Sequence, residues 1–132
     1  MRRAVAALCV LGVATSCSGC SCDDLGVGSV AVTVVDASGA VVTDAKVVYS
    51  VDGTPFQDAI CTTEVSKSST GNATASGGGA GGCLEWDAGT DWTGTYEVLA
   101  TSGGRQGHGE VHVGKDIGAC HVNPQTLTVK VE

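Results

Sequence analysis

From Thr93 onward the chain alternates apolar and polar positions in three runs, T-G-T-Y-E-V-L-A-T, G-E-V-H-V and Q-T-L-T-V-K-V. A period of two places Tyr96, Val98 and Ala100 on one face of the first run, and Leu127, Val129 and Val131 on one face of the last. The same pattern recurs upstream. Ser29–Val35 sets Val30, Val32 and Val34 on a common face, and Ala45–Val51 turns Val47, Tyr49 and Val51 inward with Lys46 outward. Phe56–Thr63 reads as a weaker strand carrying Cys61. Cys83–Asp87 resumes strand character, and Glu110–Val113 precedes the final run. Between them lie Asp36-Ala37-Ser38-Gly39, Asp52-Gly53-Thr54-Pro55 and Ser102-Gly103-Gly104. Each of these is a turn: in the first, Asp36 can bond its own backbone and Gly39 supplies positive φ. No stretch carries a helical period. About seven short strands separated by turns predict an all-β chain folded as a Greek-key β-sandwich.

Two segments fall outside the alternation. Ser66–Gly82 reads S-K-S-S-T-G-N-A-T-A-S-G-G-G-A-G-G. It carries too little apolar area to offset its backbone entropy and is expected to be a flexible Gly/Ser-rich loop. No strand-then-helix context surrounds it, so a phosphate-cradling reading has no support. The N-terminus reads Met1-Arg2-Arg3, then an apolar run of 11 residues from Ala4 to Ala14, then Thr15-Ser16-Cys17. Positive start, short apolar middle and small residues before a cysteine describe a bacterial secretory signal. A bilayer span needs roughly 20 apolar residues. Val13–Cys17 resembles a lipobox, with Ala14 where leucine is usual, so Cys17 is expected to carry diacylglycerol and palmitate. Cys20, preceded by Ser18-Gly19, is the alternative, and Cys22 stands close by. Ser18 after Cys17, or Ser21 after Cys20, fits outer-membrane sorting; Asp23 after Cys22 fits retention at the inner membrane. The predicted organisation is a lipoprotein signal peptide at 1–16, a disordered lipidated Cys-rich anchor and linker at 17–28, and a sandwich domain at 29–132.

Removing the signal takes Arg2 and Arg3 with it. That leaves five basic residues against 14 acidic ones, a formal charge of −9 compared with −7 for the whole chain. Such a surface repels phosphate backbones, and no basic patch interleaved with aromatics is present, so nucleic acid is not an expected partner. The seven cysteines fit an oxidising compartment. Cys61 and Cys83 bracket the glycine-rich segment, and a bridge there would close it. Cys120 is then left to Cys22 or Cys20, with Cys22 preferred, and lipidation of Cys17 leaves an odd number of mature cysteines.

Candidate chemistry is sparse. His108, Glu110 and His112 alternate along one run, so all three project from one face, and imidazole with carboxylate suits zinc or copper. Cys120-His121 would add to it if adjacent. The same alternation also makes these three the solvent-facing positions opposite Val111 and Val113. Glu85, Asp87 and Asp91 surround Ala88-Gly89-Thr90, but not in the register of a calcium loop. Trp86 and Trp92 form either a ligand platform or core, with core expected for at least one. No nucleophile, base and orienting group can be read in order.

The run V-A-V-T-V-V-D-A-S-G-A-V-V-T-D-A-K-V resembles the opening of carboxypeptidase regulatory-like domains, the prealbumin (transthyretin)-like sandwiches. T-G-T-Y-E-V-L-A-T-S-G-G resembles the G-x-Y-x-V-x-A-x-G strand of the same domains, and V-x-V-G-x-D-x-x-A-C-H-V is similar to small secreted or lipoprotein members. The glycine-rich segment departs from them. The resemblance implies a non-catalytic accessory or scaffolding domain. The hydroxyisourate hydrolases of the wider fold end in Tyr-Arg-Gly-Ser, whereas this chain ends Val129-Lys130-Val131-Glu132. The expected function is therefore a non-catalytic, lipid-anchored envelope module that meets an envelope protein or glycan at the outer membrane or facing the periplasm. A periplasmic metal-binding protein using His108, Glu110 and His112 is the alternative.

Overall fold

A computed structural model of the chain describes residues 25–65 and 81–132. The predicted signal at 1–16, residues 17–24 of the anchor with Cys17, Cys20 and Cys22, and most of the glycine-rich segment lie outside the described residues. What is described is all-β, with two four-stranded sheets packed face to face. In chain order the strands are β1 (Gly28–Val35), β2 (Lys46–Val51), β3 (Gln57–Asp58), β4 (Ile60–Glu64), β5 (Cys83–Thr90), β6 (Gly94–Ser102), β7 (Arg105–Val113) and β8 (Gln125–Lys130). One sheet runs β4-β5-β1-β8 and the other β3-β2-β6-β7. Neighbours pair antiparallel except β1 and β8, which run parallel from Val30 opposite Gln125 to Val35 opposite Lys130.

The core lies between the sheets and follows the period of two. Val30, Val32 and Val34 of β1, Trp86 and Ala88 of β5 and Val129 of β8 face Val47 and Val51 of β2, Tyr96, Val98 and Ala100 of β6 and Val113 of β7. Tyr49 and Leu127, expected inside, are only partly buried against this cluster. Valine dominates because its branched Cβ fits the pleated surface. The small, uniform side chains leave the two large buried rings, Trp86 and Tyr96, as the main fillers.

Eight strands are present among the described residues where about seven were expected. The difference arises at Phe56–Thr63, read as one strand. The chain changes sheets at Ala59, whose N–H donates to Val47 O at 3.0 Å. Gln57–Asp58 therefore pairs with β2, and Ile60–Glu64 with β5 in the opposite sheet. β7 also begins earlier than expected. Gly103 and Gly104 both adopt positive φ (55° and 79°) and join Ser102 directly to its partner Arg105. Two left-handed residues in succession match the twist of a two-residue hairpin.

On the opposite flank from the β3–β4 crossover the sheets are stitched edge to edge. Gln106 N donates to Glu132 O at 3.3 Å, and Glu132 N to Gln106 O at 3.1 Å. Glycine permits this approach. A Cβ on Gly107 would run into the backbone carbonyl of Lys130, whereas one on Gly109 would meet the Leu127 methyls at 3.0 and 3.2 Å. Backbone cannot yield as a leucine tip can. Gly107→Ala is thus expected to destabilise by about 1–3 kcal/mol, the range for overpacking, and Gly109→Ala by less. Urea unfolding of the two variants side by side checks the order.

Candidate functional site

Three side-chain groupings on this frame carry polar chemistry. The first is the outer face of β6 and β7. His108, Glu110 and His112 are all exposed there, opposite Leu99, Glu97 and Thr95. His108 Nε2 lies 3.3 Å from Glu97 Oε1, and His112 Nδ1 lies 3.4 Å from Thr95 Oγ1. Each histidine therefore has its own neighbour on β6. Alternate residues of a strand sit about 6.8 Å apart, so three in a row share a face without converging on a point. Among the described residues no three His, Cys, Asp or Glu side chains gather in a metal-holding group. Glu85, Asp87 and Asp91 are covered by the same statement.

The second grouping holds the β5–β6 turn to the segment before β1 and to the connection between β7 and β8. Asp91, at φ 52°, accepts from His121 Nδ1 at 3.1 Å on Oδ1 and 3.0 Å on Oδ2. It also accepts from Val27 N at 3.1 Å and Val122 N at 3.4 Å. A carboxylate only accepts, which places the His121 proton on Nδ1. Cys120, next in the chain, is disulfide-bonded; Cys22, its expected partner, lies outside the described residues. Asp91, one of the acidic residues that lack the register of a calcium loop, serves this staple.

The His121 hydrogen bond, followed by those from Val27 and Val122, holds the Asp91 carboxyl below its ordinary 3.8 despite partial desolvation. Asp36 is lowered in the same way, by Ser38 Oγ at 2.6 Å and the N–H groups of Ala40 and Ser38. A depressed folded-state value stabilises the fold above about 3.8, and that contribution disappears as pH falls through the lower folded value. Asp91→Asn is accordingly expected to melt below the parent at neutral pH. The gap should close as pH is taken below 3.8, which thermal melts across pH 2–7 would record.

The third grouping is a cleft of about 330 Å³ beneath the β3–β4 crossover. Tyr49 of β2, Gln57 and Asp58 of β3, Ile60 of β4, Asp87 of β5 and Trp92 line it. Topology alone brings them together, because β3 and β4 leave the same short stretch of chain for different sheets. Tyr49 stacks on Tyr96 with ring centroids 6.0 Å apart and 21° between planes, so the wall is braced from behind. Trp92 is 57% exposed and Ile60 72%, while Trp86 is core at 5%. Trp86 is thus core, whereas Trp92 is exposed on the cleft lining.

Asp87 is the unusual member. Its Oδ1 is buried and accepts no hydrogen bond from any described residue. Burial first, and then the neighbouring Glu85 charge, push its carboxyl above the usual 3.8. The same residue lines a smaller groove of about 220 Å³ on the outer face of the β4-β5-β1-β8 sheet, beside Glu85 and Gln125. It stands in a wall shared by two concavities. Comparison of the chain with family models, with curated proteins and with solved structures finds no match among any of them.

Proposed function

We propose that this chain is a non-catalytic module of the bacterial cell envelope, tethered by a lipid on Cys17 or, failing that, Cys20, and binding an envelope protein or glycan through the cleft beneath the β3–β4 crossover. The proposed domain, 29–132, is a carboxypeptidase regulatory-like, Greek-key sandwich facing the periplasm, with the outer membrane as the tether's site. The cleft carries the binding part of this reading. Its volume lies within the range of small-ligand sites, and it combines a few polar groups with exposed apolar and aromatic surface. The Cys61–Cys83 disulfide supports export, since such bonds persist in oxidising compartments.

Titration with soluble envelope fragments, followed by NMR, tests it. Neutral glycan fragments and peptide fragments are each added to the detergent-solubilised full chain. The reading expects saturable shifts of the Trp92 indole N–H and of the amides of Ile60 and Asp87 with at least one class. Shifts spread over the whole surface, or none, would count against it.

A further inference from the structure

A lipid on Cys17 or Cys20 would bring one end of the domain to the membrane. We infer that this is the end held together by Asp91, and that it docks on the lipid headgroup surface with Leu25, Trp92 and Ile117 seated among the headgroups. The inference rests on the lipid tether of the proposed function and adds which face meets the membrane.

Cys120 is disulfide-bonded, and Cys61 and Cys83 are bonded to each other. The other four cysteines, Cys9, Cys17, Cys20 and Cys22, all precede Leu25 and lie outside the described residues. On the tether reading Cys9 leaves with the signal, and Cys17 or Cys20 takes the lipid. Cys120 is then bonded to Cys20 or Cys22, at most five residues from the lipid-bearing residue. Five residues reach about 18 Å at full extension, and a disulfide adds about 6 Å between Cα atoms. Cys120 follows the Val113 end of β7, so this end of the sandwich stays within that reach. The Ser102–Arg105 turn lies a further strand length away, about 30 Å for a strand of nine residues.

The same end carries exposed apolar side chains gathered round Asp91, which accepts from Val27 N, His121 Nδ1 and Val122 N. Leu25 stands two residues before Val27, and Trp92 follows Asp91; both are exposed. Ile117, four residues before His121, is fully exposed. It sits at the tip of a braced connection. Ala119 N donates to Asp116 O at 3.1 Å, Asn123 N to Gly114 O at 2.9 Å and Lys115 Nζ to Cys120 O at 2.8 Å. An aliphatic side chain presented to water on a braced tip gains by burial, and an indole suits the headgroup level. The chain is acidic, at −7 overall, so attraction to anionic lipid does not drive the docking; apolar burial does.

The test uses the full lipidated chain in phosphatidylcholine nanodiscs, with and without a lipid that carries a nitroxide on its headgroup. Intact mass of the same sample reports the acyl group. Relaxation enhancement of the Ile117 and Gly118 amides is expected to exceed that of Ser38 and Gly103, in the turns at the opposite end, at least fivefold. The Leu25→Ser/Ile117→Ser double variant changes two exposed positions and leaves the cleft lining intact. It is expected to lower the enhancement at Gly118 at least twofold while acylation and Cys120 pairing are retained. Equal enhancement at the two ends of an acylated chain, or unchanged enhancement in the double variant, would overturn the inference and leave the tether standing. Broadening of Ile117 that needs no nitroxide and grows with the number of chains per nanodisc would assign the tip to a second copy, and would also overturn it. A chain without acyl mass would remove the tether and the inference together.

Discussion

Tyr96→Ala is expected to cost about 3–5 kcal/mol, the range for removing a large aromatic from a core. Tyr96 is fully buried in the middle of the sandwich, on the strand that pairs with both β2 and β7. Its ring stacks on Tyr49, and its hydroxyl donates to Trp92 O at 2.9 Å, so the side chain bridges core and β5–β6 turn. The valines around it are short and stiff at χ1 and cannot swing in to fill the space. Domain stabilities are typically about 5–15 kcal/mol, so this one change removes a large share of the total. Tyr96→Phe retains the ring and loses only the hydroxyl bond, and should cost about 1 kcal/mol. Urea denaturation of both variants checks the ratio. Comparable losses would mean that the hydroxyl, not the ring, carries the effect.

Loss of the Cys61–Cys83 bridge is expected to cost about 3 kcal/mol on the chain-entropy account. The two cysteines are 22 residues apart in sequence, with Cα atoms 5.8 Å apart on neighbouring strands. β4 is an edge strand of the β4-β5-β1-β8 sheet with mostly exposed side chains, so little else holds it to β5. Its position bears on the proposed binding, because Ile60 lines the cleft. The Cys61→Ala/Cys83→Ala double variant avoids stray thiols. It is predicted to unfold at markedly lower urea than the parent, and to lose the defined Ile60 environment before the β1 and β6 core melts. Hydrogen exchange at β4 amides measures the second effect. An unchanged urea midpoint would show that β4 is held by its strand pairing alone.

Much of this frame was legible in the residues. Val30, Val32, Val34, Val47, Val51, Tyr96, Val98, Ala100, Val129 and Val131 alternate with polar neighbours, and all are buried. That pattern is direct evidence of a pleated strand with one dry face. The Asp36 turn was legible for the same kind of local reason, since its carboxyl caps the N–H groups of Ser38 and Ala40. The change of sheets at Ala59 was not. No Pro or Gly marks it, and the chain there is held by Val47, a long-range partner. The start of β7 was missed because its inward positions include Gly107 and Gly109, chosen for close approach to β8, and glycine leaves no apolar trace.

The candidate site was hidden for a related reason. Asp87 stood out only as part of an ill-registered acidic set, and nothing in the local sequence signals that its Oδ1 is buried without a donor. Tyr49, Ile60 and Trp92 are far apart along the chain and meet only through sheet order. By contrast His108, Glu110 and His112 drew notice because local alternation is easy to see. Strand geometry spreads them along an exposed face, where each histidine meets a different β6 residue. Asp91 with His121 was also invisible, since the two belong to segments joined only in the fold.

The most direct test of a lipid-anchored envelope module is the intact mass of the membrane-extracted chain with non-reducing peptide mapping. The account predicts a chain that begins at Cys17, carries a diacylglyceryl group with amide-linked or free N-terminus, and yields Cys61 and Cys83 in one disulfide-linked peptide pair. A chain recovered with its first residues intact and no acyl mass would contradict it.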